Sequence, residues 1–238
     1  MEQIYTIPVN EAFEECRDSQ KCDCPLCKIY DKLERKEVEL TLGPAMMEPS
    51  TRIQTNEKGF CKHHFDLLLL QNNRLSLALI LESHIDEIKN KMKGNFFSNI
   101  LGTTAKRAVK TAGGVSSSCF ICERIEFNFE RMLETAVLLY SLDPDFRGKL
   151  RAQKYFCLPH YQRLMEMAQA KLNKKKFQEL SKDVSDIENA YLEKLKGDIT
   201  WFTKKFDYRY DSEPWYDSKD AIERAIALLS SGITPEKK

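Results

Sequence analysis

Apolar residues recur at three- and four-residue spacing along much of this chain, the signature of helices with one buried face. The segment 28–42 has no Gly or Pro, and Ile29, Leu33, Val38 and Leu40 trace a loose apolar stripe along it. Ile125, Phe129, Met132, Leu133 and Val137 repeat that stripe more clearly. Asp143-Pro144 predicts a helix start, with Asp as the cap and Pro at the first helical position. Cys61 and Cys157 each open a further long helix. One face of the first reads Phe65, Leu68, Leu69, Leu75, Leu79 and Ile85; one face of the second reads Tyr161, Leu164, Met165, Ala168 and Leu172. Helix continues over 186–206, and after a loop with Pro214 a last helix spans 218–230, capped by Ser218 and ended by Gly232. The first ten residues, with Ile4, Tyr5, Ile7 and Val9, read as extended across the core, and Asn10 as the cap of a short helix through Cys16. The expected class is all-α.

Two stretches of this pattern are copies. With an offset of 95, Glu39 falls on Glu134, Pro49 on Pro144 and Arg52 on Arg147. One inserted residue then places Phe60 on Phe156, Cys61 on Cys157 and His64 on His160. Ligand-type and ordinary residues align together, which indicates an internal duplication. The expected organisation is a first helical repeat with an N-terminal arm (1–93), a linker (94–118), a second repeat (119–185), a C-terminal helical extension (186–233) and a disordered tail (234–238). Gly102, Gly113, Gly114 and the run Ser116-Ser117-Ser118 give 94–118 linker chemistry, with a short amphipathic helix over 95–110.

Each copy carries the same donors. Cys24-x2-Cys27 precedes Cys61-x2-His64 by 33 residues, and Cys119-x2-Cys122 precedes Cys157-x2-His160 by 34. Three thiolates and one imidazole suit a closed tetrahedral zinc site. Positions i and i+3 share a helix face, so Cys61 with His64, and Cys157 with His160, can aim two donors at one ion from a first helical turn, and Cys24-x2-Cys27 can do the same from a knuckle leading into the next helix. The free N–H groups and partial positive charge of that turn favour thiolate. The expectation is two Zn2+, one per repeat, held by Cys24, Cys27, Cys61 and His64, and by Cys119, Cys122, Cys157 and His160. The same ligand set can hold an iron–sulfur cluster, which is the alternative cofactor.

Composition narrows the remaining classes. Apolar residues make up 42% and charged residues 31%, ordinary for a globular chain. The formal net charge is +1, and two zinc ions on six thiolates bring it to about −1. Such a balance gives no general attraction to nucleic acid or to an anionic membrane. Residues 1–10 lack the basic and apolar regions of a secretory signal, and the apolar run at 67–70 is interrupted by Gln71, Asn72, Asn73 and Arg74. The expected location is therefore cytoplasmic, with thiols reduced.

Other polar residues have two readings each. His63 lies beside His64, but Pro159 stands at its counterpart, so His63 is read as solvent-facing; His84 is read as a surface or packing residue. Cys16 and Cys22 have no counterparts and read as adventitious thiols, with Cys22-x-Cys24-x2-Cys27 as an alternative chelate. Arg52 and Arg147 each follow a proline by three residues near a helix start, where a cation opposes the dipole. They are read either as surface ion pairs, as neighbours of the anionic metal site, or as a bracket for an anionic ligand. The lysines of 171–176 read as a solvated face. Trp201, Phe202, Phe206, Tyr208, Tyr210, Trp215 and Tyr216 read mainly as packing.

The entry Tyr5-Thr6-Ile7-Pro8-Val9-Asn10-Glu11-Ala12-Phe13, both metal motifs, Asp143-Pro144-x2-Arg147, Lys205-Phe206-Asp207-Tyr208-Arg209 and Glu213-Pro214-Trp215 resemble an uncharacterised bacterial family, a clostridial-type domain of unknown function. The resemblance spans nearly the whole chain and implies no activity. The closed ligand sets, and the lack of a nucleophile–base pair or phosphate loop, favour a non-catalytic zinc-stabilised helical protein that binds another protein. The alternatives are an iron–sulfur or thiol redox protein, and an enzyme or ligand binder with an anion site at Arg52 and Arg147.

Overall fold

A computed structural model describes residues 3–18, 24–43, 47–92 and 104–231. Among them run eleven α-helices and two short 3-10 turns, with no strand. The helices are α1 (Gln3–Asp18), α2 (Pro25–Leu42), α3 (Pro49–Lys58), α4 (Lys62–Leu70), α5 (Arg74–Met92), α6 (Thr104–Ser117), α7 (Phe120–Leu142), α8 (Pro144–Arg151), α9 (Leu158–Lys171), α10 (Lys174–Lys204) and α11 (Ala221–Ser230). None is long and apolar enough to cross a membrane.

Several starts follow directly from local chemistry. Asp143 Oδ1 accepts from the Asp145 and Phe146 N–H groups, and Pro144 opens α8. Asn73 and Asn173 cap α5 and α10 in the same way, each accepting from the N–H three residues on. The stretch 71–73 breaks what reads as one helix after Cys61: Asn72 sits at φ 57, and the chain restarts at Arg74. That break resets the helical phase. The buried positions are Leu68, Leu77, Ile80 and His84, whereas Leu69, Leu75, Leu79 and Ile85 are exposed.

Three more expectations need correction. Residues 3–18 form a helix rather than an extended arm, with Pro8 tolerated in its interior. The helix expected over 95–110 is helical from Thr104, where the described residues resume, and runs on to Ser117 rather than ending at 110; its first residues lie outside those described. The final helix starts at Ala221 after Asp220, while Ser218 is buried in a 3-10 turn; Gly232 lies outside the described residues.

The chain divides into two compact units, 1–31 with 129–238 and 32–128. In the first, α1 lies against α8, and Phe13 packs on Phe146 and Phe156 with ring centroids 4.8 and 6.2 Å apart. All three rings are fully buried, so truncating Phe13 to Ala should cost about 3–5 kcal/mol. Gln153 Nε2 seals the contact by donating to the Phe13 carbonyl at 2.8 Å. The closing 205–216 segment is held by Lys205, whose Nζ donates to the carbonyls of Tyr210, Asp211 and Glu213. Trp201 packs on Tyr210 and Tyr216, and Phe202 on Phe206 and Trp215, as expected for packing, though Phe206, Tyr208 and Tyr216 remain mostly exposed. In the second unit, Leu33, Val38, Phe60, Leu68, Ile80, Phe120 and Ile125 form the buried centre. There Arg124 Nε donates to the buried Glu37 carboxylate at 2.5 Å, joining α7 to α2.

Candidate metal centres

All eight predicted donors occupy one kind of position. Cys61 and Cys157 are the N-caps of α4 and α9, and Cys24 and Cys119 immediately precede α2 and α7. Their partners His64, His160, Cys27 and Cys122 sit three residues on, in the first helical turn. Each pair thus faces outward from a helix start whose unpaired N–H groups stabilise negative sulfur. Pro25 and Pro159 stand in such first turns, where a missing N–H costs nothing.

The donors converge in two groups, each with all ligand atoms within 4.8 Å of one another. One is Cys24, Cys27, Cys157 and His160; the other is Cys61, His64, Cys119 and Cys122. The eight residues are those the sequence singles out, but the pairing is crossed. Each C-x2-C meets the C-x2-H of the other repeat, so the expected grouping of Cys24 and Cys27 with Cys61 and His64, and of Cys119 and Cys122 with Cys157 and His160, is corrected. The reason is helix length. The chain leaves each C-x2-C along α2 or α7, of 18 and 23 residues, about 27 and 35 Å. Before the next donor pair come 18 residues, 10 of them in α3, or 14 residues, 8 of them in α8. A short helix does not bring the chain back to the start of a long one.

The geometry of the two groups matches. In the first, His160 Nδ1 lies 3.2 Å from Cys157 Sγ, 3.3 Å from Cys27 Sγ and 3.9 Å from Cys24 Sγ, and Cys27 and Cys157 are 3.5 Å apart. In the second, His64 Nδ1 lies 3.2 Å from Cys61 Sγ and 3.3 Å from both Cys119 Sγ and Cys122 Sγ, with Cys61 and Cys122 3.8 Å apart. Such separations are the edges of a small tetrahedron. Cys24, Cys119, Cys157, His64 and His160 are buried, and Cys27, Cys61 and Cys122 partly so.

The metal-free thiols share protons. Hydrogen bonds from Cys24 and Cys27 hold Cys157 down at about 4, and the same network pushes Cys27 up. Burial pushes Cys119 up, but the bonds from His64, from the Cys122 and Cys61 backbone and from the Cys122 thiol together outweigh it and leave the thiol at about 6. Burial likewise lowers His64, while Cys119 and Glu34 raise it more, to about 10. A metal entering either group displaces protons, so its affinity falls as pH drops.

Behind the imidazoles the two centres differ. His64 Nε2 faces Glu34 Oε1 at 3.3 Å, close but poorly aligned for a full hydrogen bond, and His63 Nε2 reaches the same oxygen at 2.9 Å. The three residues form a further donor group, with His63 half exposed. At the counterpart of Glu34 the second repeat has Phe129, and its ring lies 5.1 Å from His160. Sequence comparison of the copies hides Glu34 because it is a mismatch there. It also hides Glu188, 5% exposed on α10, whose Oε1 accepts from the Phe156 N–H next to Cys157 at 2.5 Å. Glu188 Oε2 is buried with no hydrogen-bond partner, and burial raises this carboxyl to about 7.

Other candidates lie elsewhere. Arg52 Nη2 donates to the Leu79 carbonyl at 2.9 Å. Arg147 Nε donates to the Tyr140 carbonyl at 3.1 Å, its guanidinium lies over the Tyr140 ring, and Glu179 is 3.9 Å away. Neither arginine joins a donor group. Arg147 instead satisfies carbonyls at the end of α7, where a cation suits the dipole. His84 is a packing residue, buried, with Nδ1 donating to the Asn56 carbonyl at 2.9 Å. Cys16 is buried and disulfide-bonded, not a free thiol, and Cys22 lies outside the described residues.

No curated protein and no solved structure matches the chain. The family model described as "Family of unknown function (DUF6062)" matches residues 1–236, and the chain belongs to that family.

Proposed function

We propose that this is a non-catalytic helical protein whose two units are each closed by one structural zinc ion, and which serves to bind another protein. The observation that carries the metal reading is the pair of complete Cys3His groups with donors 3.2–3.9 Å apart. A Zn–S bond of about 2.3 Å in a tetrahedron sets S···S edges of about 3.8 Å, so these groups fit one ion each. Ligands of an iron–sulfur cluster attach to different irons and stand farther apart, which disfavours that alternative. Four protein donors leave no open position for substrate, as in structural zinc sites. Support for a protein partner comes from α11, where Ile222, Ile226 and Leu229 share one face and are 45%, 53% and 61% exposed.

Metal analysis of protein purified without added zinc tests the reading. The expected result is two zinc ions per colourless chain, with loss of helicity on chelation. Iron with acid-labile sulfide and visible absorbance would replace it with the redox alternative.

A further inference from the structure

Neither repeat contains a complete centre. The first gives Cys24 and Cys27 to one group and Cys61 and His64 to the other, and the second returns the complementary pairs. The surrounding contacts are exchanged in the same way. In one unit, Phe13 packs on Phe146 and Phe156, and Lys149 Nζ reaches Asn10 Oδ1 at 3.2 Å. In the other, the Phe120 N–H donates to the Gly59 carbonyl at 2.9 Å, and Ser118 Oγ to the Lys58 carbonyl at 2.7 Å. The part of the chain through residue 92 therefore presents two half-sites, and the part from residue 104 presents the two that complete them.

Nothing in these contacts requires both parts to belong to one chain. A second copy carries the same half-sites, the same rings and the same donors. We propose that this chain self-associates by metal-dependent reciprocal exchange, each centre taking its C-x2-C from one copy and its C-x2-H from the other. The closed and exchanged forms share every metal bond, so their balance is set by chain concentration against the intramolecular effective concentration, roughly millimolar for a short connection. Metal acts as the lock, because each ion bonds donors from both parts and adds to the contacts above. The inference rests on the metal reading above.

Two full-length variants test it. Cys24→Ser/Cys27→Ser and Cys157→Ser/His160→Ala each lose the first centre and keep Cys61, His64, Cys119 and Cys122 intact, which preserves one metal-closed unit. They are stripped, unfolded and refolded with zinc, alone and as an equimolar mixture at roughly millimolar chain. Alone, each should hold one zinc per chain. In the mixture, exchange rebuilds the first centre from the intact halves, giving a third zinc per pair in a species of twice the chain mass. A mixture whose metal content merely averages the separate samples overturns the exchange while leaving the zinc reading in place. A wild-type chain that binds no zinc at all overturns both. As a check free of ligand substitutions, wild-type protein refolded with zinc should show more dimer at ~1 mM than at ~1 µM, and monomer alone at both contradicts the proposal.

Discussion

Single side chains decide how firmly each donor is held. Glu34 faces the far nitrogen of His64 at 3.3 Å, and outer carboxylates in this position typically account for 10–100-fold in metal affinity. Glu34→Gln should therefore weaken the Cys61 centre by roughly that factor in chelator competition, with the Cys24 centre unchanged. Equal release from both centres would argue against the role. Gly59 is a second such point, two residues before Cys61. It sits at φ 63, and a Cβ there would lie 2.7 Å from His84 Nε2. Gly59→Ala should lower stability by about 1–3 kcal/mol in thermal or urea denaturation. The eight converging donors were legible because sulfur and imidazole at i and i+3 have few other uses. Glu34, Glu188 and the glycine contact were not, because their partners lie 29, 32 and 25 residues away in sequence.

Whole helices place those side chains, and α10 does so with a buried charge. Glu188 titrates near 7 in the folded chain against 4.5 when free, so the folded state holds its proton more tightly. Below about pH 4.5 the group is protonated in both states and costs nothing. Between there and pH 7 the unfolded state ionises first, so stability falls as pH rises, by about 3 kcal/mol in total. Glu188→Gln keeps an acceptor for the Phe156 N–H and removes the charge. It should flatten that pH dependence and raise the unfolding midpoint at pH 8, as followed by circular dichroism. An unchanged slope would mean that another group carries the burial cost. Helix existence was readable from apolar spacing, and α8 from its Asp-Pro start. The phase of α5 was not, because the restart at Asn73 looks from the sequence like an interruption within one helix. The helical character of 3–18 was masked by Pro8 and the β-branched residues around it.

For the molecule as a whole, the two sets of donor motifs were legible and their pairing was not. Two aligned copies suggest two self-contained metal units, and the chain does form two units with one Cys3His group each. The units are assembled from opposite ends of the copies because the long helices α2 and α7 separate each ligand pair from its sequence neighbour. That crossing is the central claim, and metal content of two quadruple variants tests it most directly. Cys61→Ser/His64→Ala/Cys119→Ser/Cys122→Ser removes one crossed centre and should retain one zinc per chain, whereas Cys24→Ser/Cys27→Ser/Cys61→Ser/His64→Ala should retain none. The reverse outcome, no zinc in the first variant and one in the second, would contradict the account.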